Sequence, residues 1–233
     1  MHSIVAVVNE AIFRWFNQWN DRFELLDLIL AIGDAEHIKS VPFVLVVWSI
    51  WFLPRPPIER TYLREQLTAV ILLTVPIIVI TRVIANYTVH VPRPLHAEDF
   101  PVRLNENQSA EMLEGWSSFP SDHASLFFGF ALAIYLVHKK FGLFLLFWSI
   151  FTVSLPRIIL GLHWPTDILA GWVLGGLIAL LLLKPLTKGV SVSGIVPFFE
   201  EREYLGYPLL FLVSFEIARM FFLTRQVVFG ILN

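Results

Sequence analysis

Long apolar stretches are the feature that most constrains what this chain can fold into. A transmembrane helix needs about 20 mostly apolar residues, because the hydrocarbon core of a bilayer is about 30 Å thick. Six stretches approach that length, and they cover residues 39–54, 64–86, 119–138, 141–159, 165–184 and 204–224. With 56% hydrophobic and 15% charged residues, the chain is more apolar than a soluble domain of its size. The sequence therefore predicts an all-α fold, a polytopic membrane helix bundle of about six transmembrane helices.

The N-terminal residues 1–36 have a different pattern. Hydrophobic residues recur there at helical spacing with charged residues between them, which is typical of helices that lie in the membrane interface. The charges and the lack of a cleavage site argue against a signal peptide. We expect an interfacial helix followed by a second helix at 22–36 that is either interfacial or re-entrant. No repeat or linker divides the chain, so residues 1–233 are expected to form one domain with its core at 64–184.

Basic residues predict the orientation, because Lys and Arg in short loops collect on the cytoplasmic side of a membrane. They occur in the loops after the first, third and fifth predicted spans, as Arg55, Arg60, Arg64, Lys139, Lys140, Lys184, Lys188 and Arg202. The loops at 87–118 and 157–164 then lie on the other face. We therefore expect a multi-pass protein of the plasma (inner) membrane whose polar loops face the periplasm or the exterior.

Composition excludes several classes of function. The formal net charge is −2 and the basic residues are scattered, so no surface for nucleic acid is predicted. The chain has no cysteine, which excludes disulfides, thiolate metal sites and thiol nucleophiles. Gly171 and Gly175 stand at small-xxx-small spacing within an apolar run, which predicts close packing between helices. We expect membrane lipids, and not nucleic acid, to surround these helices.

The stretch FPSDHAS, residues 119–125, places three polar side chains at the start of an apolar run. Pro120 suits the first turn of a helix, and we expect Ser121, Asp122 and His123 to follow in that turn. Free backbone N–H groups and the positive end of the helix dipole would then form an anion pocket. Taken alone, the stretch fits equally well a helix capped by Ser and Asp with an interfacial His.

The stretch HWPTD, residues 163–167, repeats this arrangement. Pro165 marks a helix start, so His163 lies just outside the helix and Asp167 within its first turn. A carboxylate that holds one imidazole nitrogen leaves the other free to attack. An interfacial His beside an N-terminal Asp is the alternative.

Two arginines flank these stretches. Arg157 carries a planar donor fork suited to phosphate oxygens, although an Arg at a span end can also reach the headgroups. Arg93 lies in HVPRP, where prolines on both sides disfavour helix and fix its direction. Two arginines, two helix N-termini and two histidines on one membrane face exceed what capping requires. Their joint chemistry is phosphoryl transfer, with one imidazole to attack and the other to protonate the leaving oxygen.

Three blocks, RP at 93–94, PSDH at 120–123 and R-x5-H-x3-D at 157–167, resemble the ordered signature blocks of the type 2 phosphatidic acid phosphatase superfamily. The resemblance covers about residues 64–184, and PSDH is similar to the form found in undecaprenyl-diphosphatase members. It implies a membrane-embedded phosphatase that uses neither a metal nor another cofactor and forms a phosphohistidine intermediate. By this resemblance His163 is the nucleophile, Asp167 its orienting partner and His123 the general acid. The groups implied to bind the phosphoryl oxygens are Arg93, Ser121, Arg157 and the backbone N–H of Asp122.

The chain departs from the family pattern at two positions. Asp122 replaces a glycine, and its carboxylate should point away from bound phosphate. Asn86 replaces a lysine. It keeps a donor, so we expect it to bind phosphate from that position, but it removes a full charge, and a hydrogen bond to a charged group contributes roughly 1.5–3 kcal/mol. Arg82 lies one turn earlier on the same helical face, but helical side chains lean toward the N-terminus, so we expect it to point away from the site.

The resulting hypothesis is a phosphatase for a lipid phosphate or diphosphate, with undecaprenyl diphosphate as the first choice. A pocket at headgroup level would accept the phosphate while the lipid tail stays in the bilayer. Phosphatidic acid, phosphatidylglycerol phosphate and lipid A phosphates are alternative substrates. A non-catalytic scaffold whose site was retired by the change to Asn86 is the alternative of another class. The loop at 95–118 is a candidate lid with several acidic residues.

Overall fold

The computed structural model describes residues 4–97, 101–105, 108–109 and 111–219, and its regular structure is helical throughout these ranges. The helices are α1 (Ile4–Asn17), α2 (Glu24–Asp34), α3 (Glu36–Trp51), α4 (Pro57–Tyr87), α5 (Asp122–Val137), α6 (Lys139–Trp148), α7 (Leu155–Ile159), α8 (Pro165–Ser193), α9 (Ile195–Glu200) and α10 (Glu203–Ala218). A π-helical segment, Ser149–Ser154, joins α6 to α7, and a 3₁₀ turn covers Pro94–His96. The described ranges contain no strand. The predicted all-α fold is confirmed.

Three helical runs are long and apolar enough to cross a membrane, namely Pro57–Tyr87, Lys139–Ile159 and Pro165–Ser193. They correspond to the second, fourth and fifth predicted spans. The apolar part of α3, Ile38–Trp51, and α5 are shorter than a usual span. The last residues of the sixth predicted span lie outside the described ranges. Three candidate spans among the described residues therefore support a membrane protein. The expected total of six transmembrane helices remains a prediction.

The helix α5 lies at the centre of the bundle, where it packs against α4, α6 and α8. Its side chains join those of α3 and α4 in one apolar cluster. The ring of Phe43 in α3 lies 4.8 Å from that of Phe127 and 5.6 Å from that of Phe130. Helix association within lipid depends on such close packing, because lipid tails are as apolar as the side chains that they would replace.

Small residues bring α5 and α8 into close contact near their N-termini. A Cβ atom at Gly175 would lie 2.0 Å from the backbone oxygen of Ser125, and one at Gly171 would lie 2.8 Å from that of Ser121. Side chains larger than hydrogen would therefore force the two helices apart. The predicted packing role of Gly171 and Gly175 is confirmed, and it holds the starts of two helices side by side.

The helix α1 packs with one face on the loop between α7 and α8. Its Asn17 amide donates to the Ile159 carbonyl at 2.8 Å, and the side chain of Asn9 accepts from the Thr166 N–H at 3.1 Å. Phe13 is buried against the ring of Trp164. The other face exposes the apolar side chains of Ile4, Val7, Val8, Ile12 and Trp15. Such a two-sided helix fits the predicted interfacial position, and it braces both ends of the loop.

A substitution at Gly175 tests the close contact between α5 and α8. We expect Gly175→Ala to lower the free energy of unfolding by about 1–3 kcal/mol, because the added methyl group meets backbone. Gly189→Ala is the matched control in the same helix, since nothing lies within 4 Å of a Cβ there. Thermal unfolding in detergent, followed by circular dichroism, compares the two variants. Equal melting temperatures would contradict the close approach of the helices.

Candidate active site

The three sequence blocks meet where α5 and α8 begin. The Ser121 N–H donates to the Asp167 carbonyl at 3.2 Å, which joins the starts of the two helices. The Leu95 N–H donates to the Gly161 carbonyl at 3.0 Å, which joins the segment around Arg93 to the loop before α8. Backbone hydrogen bonds therefore assemble one site from segments that lie far apart in the sequence.

The start of α5 differs from the prediction by two residues. The helix begins at Asp122, and Ser121 is its N-cap, with an extended backbone and a hydroxyl that accepts from the Ala124 N–H at 3.4 Å. Pro120 therefore precedes the cap and does not lie in the first turn. The reason is that a Ser side chain satisfies a free N–H group of the first turn, which favours it at the cap. Asp122 and His123 do occupy the first turn, as predicted.

The start of α8 agrees with the prediction. Pro165 is the first helical residue, and the Asp167 carboxylate in the first turn accepts from the Trp164 N–H at 2.8 Å. This contact satisfies one of the N–H groups left free at a helix start. His163 lies just before the helix and is almost fully buried, as is Asp167. The start of α8 thus fixes the backbone positions of His163 and Asp167.

The imidazole of His163 is held by Ser118, a residue that the sequence analysis did not identify. Its Nδ1 lies 2.9 Å from the Ser118 carbonyl oxygen, whereas the nearest Asp167 oxygen is 3.8 Å away, beyond a hydrogen bond. The predicted direct bond to Asp167 is therefore not formed. The Ser118 hydroxyl donates to Asp167 Oδ2 instead, so the carboxylate acts on the ring through Ser118. Because a carbonyl only accepts, Nδ1 carries the proton and the neutral ring keeps a lone pair on Nε2.

That lone pair faces the guanidinium of Arg93. Arg93 Nη1 lies 3.2 Å from His163 Nε2 and donates to the Leu162 carbonyl at 2.6 Å. Burial lowers the pKa of Arg93 to about 10, with the charge of Arg157 acting in the same direction. The group is still a cation at neutral pH. An anion bound by Arg93 would consequently lie next to Nε2.

Arg157 contributes through both its backbone and its charge. Its carbonyl accepts from the N–H groups of Leu162 at 3.0 Å and His163 at 3.1 Å, which closes the turn that presents His163. The turn passes through Gly161 at φ +72°, a left-handed conformation that glycine adopts most readily. The side chain of Arg157 is buried. Arg157 therefore both closes the turn before His163 and brings a buried guanidinium close to it.

Burial lowers the pKa of His163 below its ordinary value, because a charged imidazolium would lose its hydration there. The cations of Arg93 and Arg157 lower it further, whereas Asp167 acts in the opposite direction. The ring is therefore neutral over a wider range of pH than an exposed histidine. A neutral imidazole is the form with a lone pair to donate.

The second histidine is held by its neighbour in the sequence. His123 Nδ1 lies 2.9 Å from Asp122 Oδ1, and Asp122 Oδ2 lies 2.5 Å from Arg82 Nη2. The expectation that Arg82 points away from the site is wrong. The reason is that α4 continues past Arg82 to Tyr87, which puts Arg82 level with the start of α5. Asn86 lies exposed on the last turn of α4, and its side chain forms no hydrogen bond with the described residues.

The groups gathered here suit an anion better than a metal. Among residues 4–97, 101–105, 108–109 and 111–219, no cluster of three His, Cys, Asp or Glu side chains could hold a metal ion. Three guanidinium groups contact or lie near the two histidines. Of the acidic residues in the predicted lid, Glu111 and Glu114 are exposed, whereas Glu98, Asp99 and Glu106 lie outside the described residues. The site can therefore hold a phosphate-like group between cations and imidazoles.

A comparison of the sequence with known families shows which family contains this chain. The model of the PAP2 superfamily matches residues 66–188, more than half of the chain and the part that contains both histidines. The chain belongs to the PAP2 superfamily. The resemblance drawn from the three sequence blocks is thereby confirmed at the level of the family.

Several curated proteins are similar to part of the chain. The bacitracin transport permease protein BcrC of Bacillus licheniformis is 35% identical over 127 residues, which are 54% of this chain and 62% of BcrC. A lipid A 4'-phosphatase of Bacteroides thetaiotaomicron is 41% identical over 64 residues, 27% of this chain and 28% of that protein. An undecaprenyl-diphosphatase of Sulfolobus acidocaldarius is 38% identical over 64 residues, 28% of this chain and 31% of that protein. The chain thus spans less than two thirds of each of these relatives, and no solved structure matches it.

The titration of His163 tests the electrostatics of this PAP2 site. We expect its imidazole to protonate below the ordinary histidine value of about 6.5, and Arg93→Gln to raise its pKa by removing a neighbouring cation. Nuclear magnetic resonance of histidine-labelled protein in detergent measures both values, with exposed His90 as the internal reference. The stability that comes from a neutral His163 is present above pH 6.5 and is lost as the pH falls through its folded pKa. A measured pKa of His163 at or above 6.5 would contradict this account.

Proposed function

We propose that this PAP2 protein is a membrane phosphatase that removes phosphate from a lipid diphosphate through a phosphohistidine at His163. The observation that carries the proposal is the neutral Nε2 of His163, held 3.2 Å from the guanidinium of Arg93. An attacking lone pair next to a phosphate-binding cation is what a phosphoryl transfer requires. The family and its curated phosphatases support the same activity.

In the first step the terminal phosphoryl group binds to Arg93 and Arg157, whose charges balance its oxygens. His163 Nε2 attacks phosphorus, the bond from phosphorus to the bridging oxygen breaks, and His123 Nε2 gives its proton to that oxygen. The products are a phosphohistidine and a lipid monophosphate. The Ser118 carbonyl accepts a hydrogen bond from Nδ1–H of His163 throughout, so it stabilises the charge that develops on the ring.

In the second step His123, now neutral, takes a proton from a water molecule that attacks the phosphohistidine. The bond between Nε2 of His163 and phosphorus breaks, and inorganic phosphate leaves with the oxygen of that water molecule. Both histidines are then back in their starting forms. No metal ion takes part in either step, because guanidinium groups supply the positive charge.

The position of the site supports a lipid substrate. His163 precedes α8, and His123 lies at the start of α5, so the site is at the ends of apolar helices. At that level a phosphate can reach the histidines while an apolar tail stays between helices and lipid. Undecaprenyl diphosphate is our first choice, since a relative from Sulfolobus acidocaldarius carries the name of that activity.

We propose that this reaction occurs on the outer face of the plasma membrane. Lys139 and Lys140 start α6, at the far end of α5 from His123. Basic residues in such short loops favour the cytoplasmic side. The site would then face the periplasm or the exterior, where it could act on lipid carriers of the cell envelope.

A lipid A phosphatase is the second candidate, supported by the relative from Bacteroides thetaiotaomicron. Its substrate carries a phosphate monoester on a sugar, and the same two histidines could act on it. The scaffold hypothesis is disfavoured, because Arg82 brings a cation to the site from which the family lysine is missing. A scaffold also has no use for two histidines that are each held by a defined partner.

Phosphate release from undecaprenyl diphosphate tests the proposal. Purified protein in detergent with EDTA should release phosphate, and His163→Ala should reduce the rate by about 1,000-fold or more, since nothing else can form the covalent intermediate. His90→Ala is the matched control, an exposed histidine on the same side, and should keep the wild-type rate. Thermal unfolding verifies that each variant is folded.

The substrate panel separates the candidates. Faster release from a lipid A phosphate than from undecaprenyl diphosphate would favour the second candidate. Release that needs a metal ion, or that survives in His163→Ala, would refute the histidine mechanism. If no lipid phosphate releases phosphate, the result would favour the non-catalytic scaffold.

A further inference from the structure

One connected group at the site has no part in the steps above beyond its histidine. It consists of Arg82 from α4 and the neighbouring Asp122 and His123 at the start of α5. We propose that Asp122 is a positioning residue that holds His123 for proton transfer, and that Arg82 anchors Asp122 in turn. This inference rests on the proposed phosphatase function, and it assigns a side-chain role to the residue that departs from the family glycine.

The geometry leaves little freedom to the carboxylate. Asp122 Oδ1 accepts from both the backbone N–H and Nδ1 of His123, each at 2.9 Å. Asp122 Oδ2 lies 2.5 Å from Arg82 Nη2, a charged contact between two helices. Each oxygen of the carboxylate therefore has its own partner, and neither can rotate away without losing one.

Arg82 is itself held in place. Its guanidinium carbon lies 4.9 Å from the centre of the Trp116 ring, in the range of a cation–π contact. The guanidinium thus lies between an aromatic ring and a carboxylate, and only about a third of its side chain is exposed. An anchored cation of this kind keeps Asp122 ionised and fixed.

The ring of His123 is oriented by these contacts. With Nδ1 donating to Asp122, Nε2 is the nitrogen left to exchange a proton, and it has no hydrogen-bond partner in the described part of the chain. In the first step the proton moves from Nε2 to the leaving oxygen as the bond from that oxygen to phosphorus breaks. In the second step Nε2 takes a proton from water, and the Nδ1 proton stays on the ring throughout.

The two histidines are held by different kinds of acceptor, and the difference matches their tasks. His163, which must start neutral, donates to the uncharged carbonyl of Ser118. His123, which gives up a proton in the first step, donates to a carboxylate, which favours the protonated ring against the opposing effects of burial and of the Arg157 and Lys39 cations. A glycine at position 122 would offer no such oxygen. The departure at Asp122 and the unexpected position of Arg82 therefore have one explanation.

The variant Asp122→Asn tests the positioning role. Asn keeps the size of the side chain but removes its charge, so kcat for undecaprenyl diphosphate should fall about 10–100-fold while KM changes less than twofold. A merely structural defect would instead lower the melting temperature or alter both constants. An unchanged kcat, or a rise in KM alone, would overturn the proposal.

A double-mutant cycle locates the effect on His123. If Asp122 acts through the ring, Asp122→Asn should cost nothing further in the His123→Ala background. The same fractional loss in both backgrounds would mean that Asp122 acts independently of His123. With p-nitrophenyl phosphate, whose leaving group departs without a proton, Asp122→Asn should lose much less activity than with the lipid, and an equal loss would count against proton transfer.

Arg82 is tested against a matched arginine. Arg82→Gln should lower kcat in the same direction as Asp122→Asn, and Arg82→Lys should recover part of the loss. Arg22→Gln is the control and should keep the wild-type kcat, because the Arg22 guanidinium also lies over a tryptophan ring, at 5.4 Å from the centre of Trp19, but outside the three sequence blocks. Wild-type activity that depends on His163 but is unaffected by Asp122→Asn and Arg82→Gln would refute this inference alone, whereas inactive wild-type protein would refute the proposed function.

Discussion

The close approach of α5 and α8 is the contact on which the site depends. At Gly171 and Gly175 the two helices are so near that a methyl group would meet backbone oxygen. The approach places the start of α5 beside the start of α8, and the Ser121 N–H then reaches the Asp167 carbonyl. Two helix N-termini consequently lie side by side, and the positive ends of their dipoles favour an anion in one place. Packing between apolar helices thus determines where the polar chemistry can occur.

Polar groups at this level of a membrane protein are costly unless they are paired, and here backbone carbonyls supply many of the partners. Ser118 O holds the ring of His163, Leu162 O holds the guanidinium of Arg93, and the carbonyl of Arg157 closes the turn between them. These acceptors are neutral, so they fix directions without cancelling the positive charge that a phosphate needs. The carboxylates of Asp122 and Asp167 are each tied to further donors, which keeps them from competing for that charge.

Particular residues show how far the sequence could predict this site. Proline and helix spacing are sufficient to predict that Pro165, His163 and His123 lie at helix starts, because these positions depend on neighbours along the chain. Ser118 could not be found in that way, since nothing in SSFPSDH distinguishes it from Ser117 before the segments fold together. The contact of Arg82 with Asp122 is not predictable in this way, because the direction in which a helical side chain leans does not determine where the next helix begins. Contacts between segments distant in the sequence depend on packing, which spacing alone does not determine.

The covalent step at His163 is the central claim, and it can be observed directly. Protein mixed with undecaprenyl diphosphate that carries ³²P in its terminal phosphate would be quenched in alkali, in which phosphohistidine survives, and digested for mass spectrometry. We predict label on the peptide that contains His163, lost on acid treatment and absent from His163→Ala. Phosphate release without label on any histidine, or label on another residue, would contradict the account.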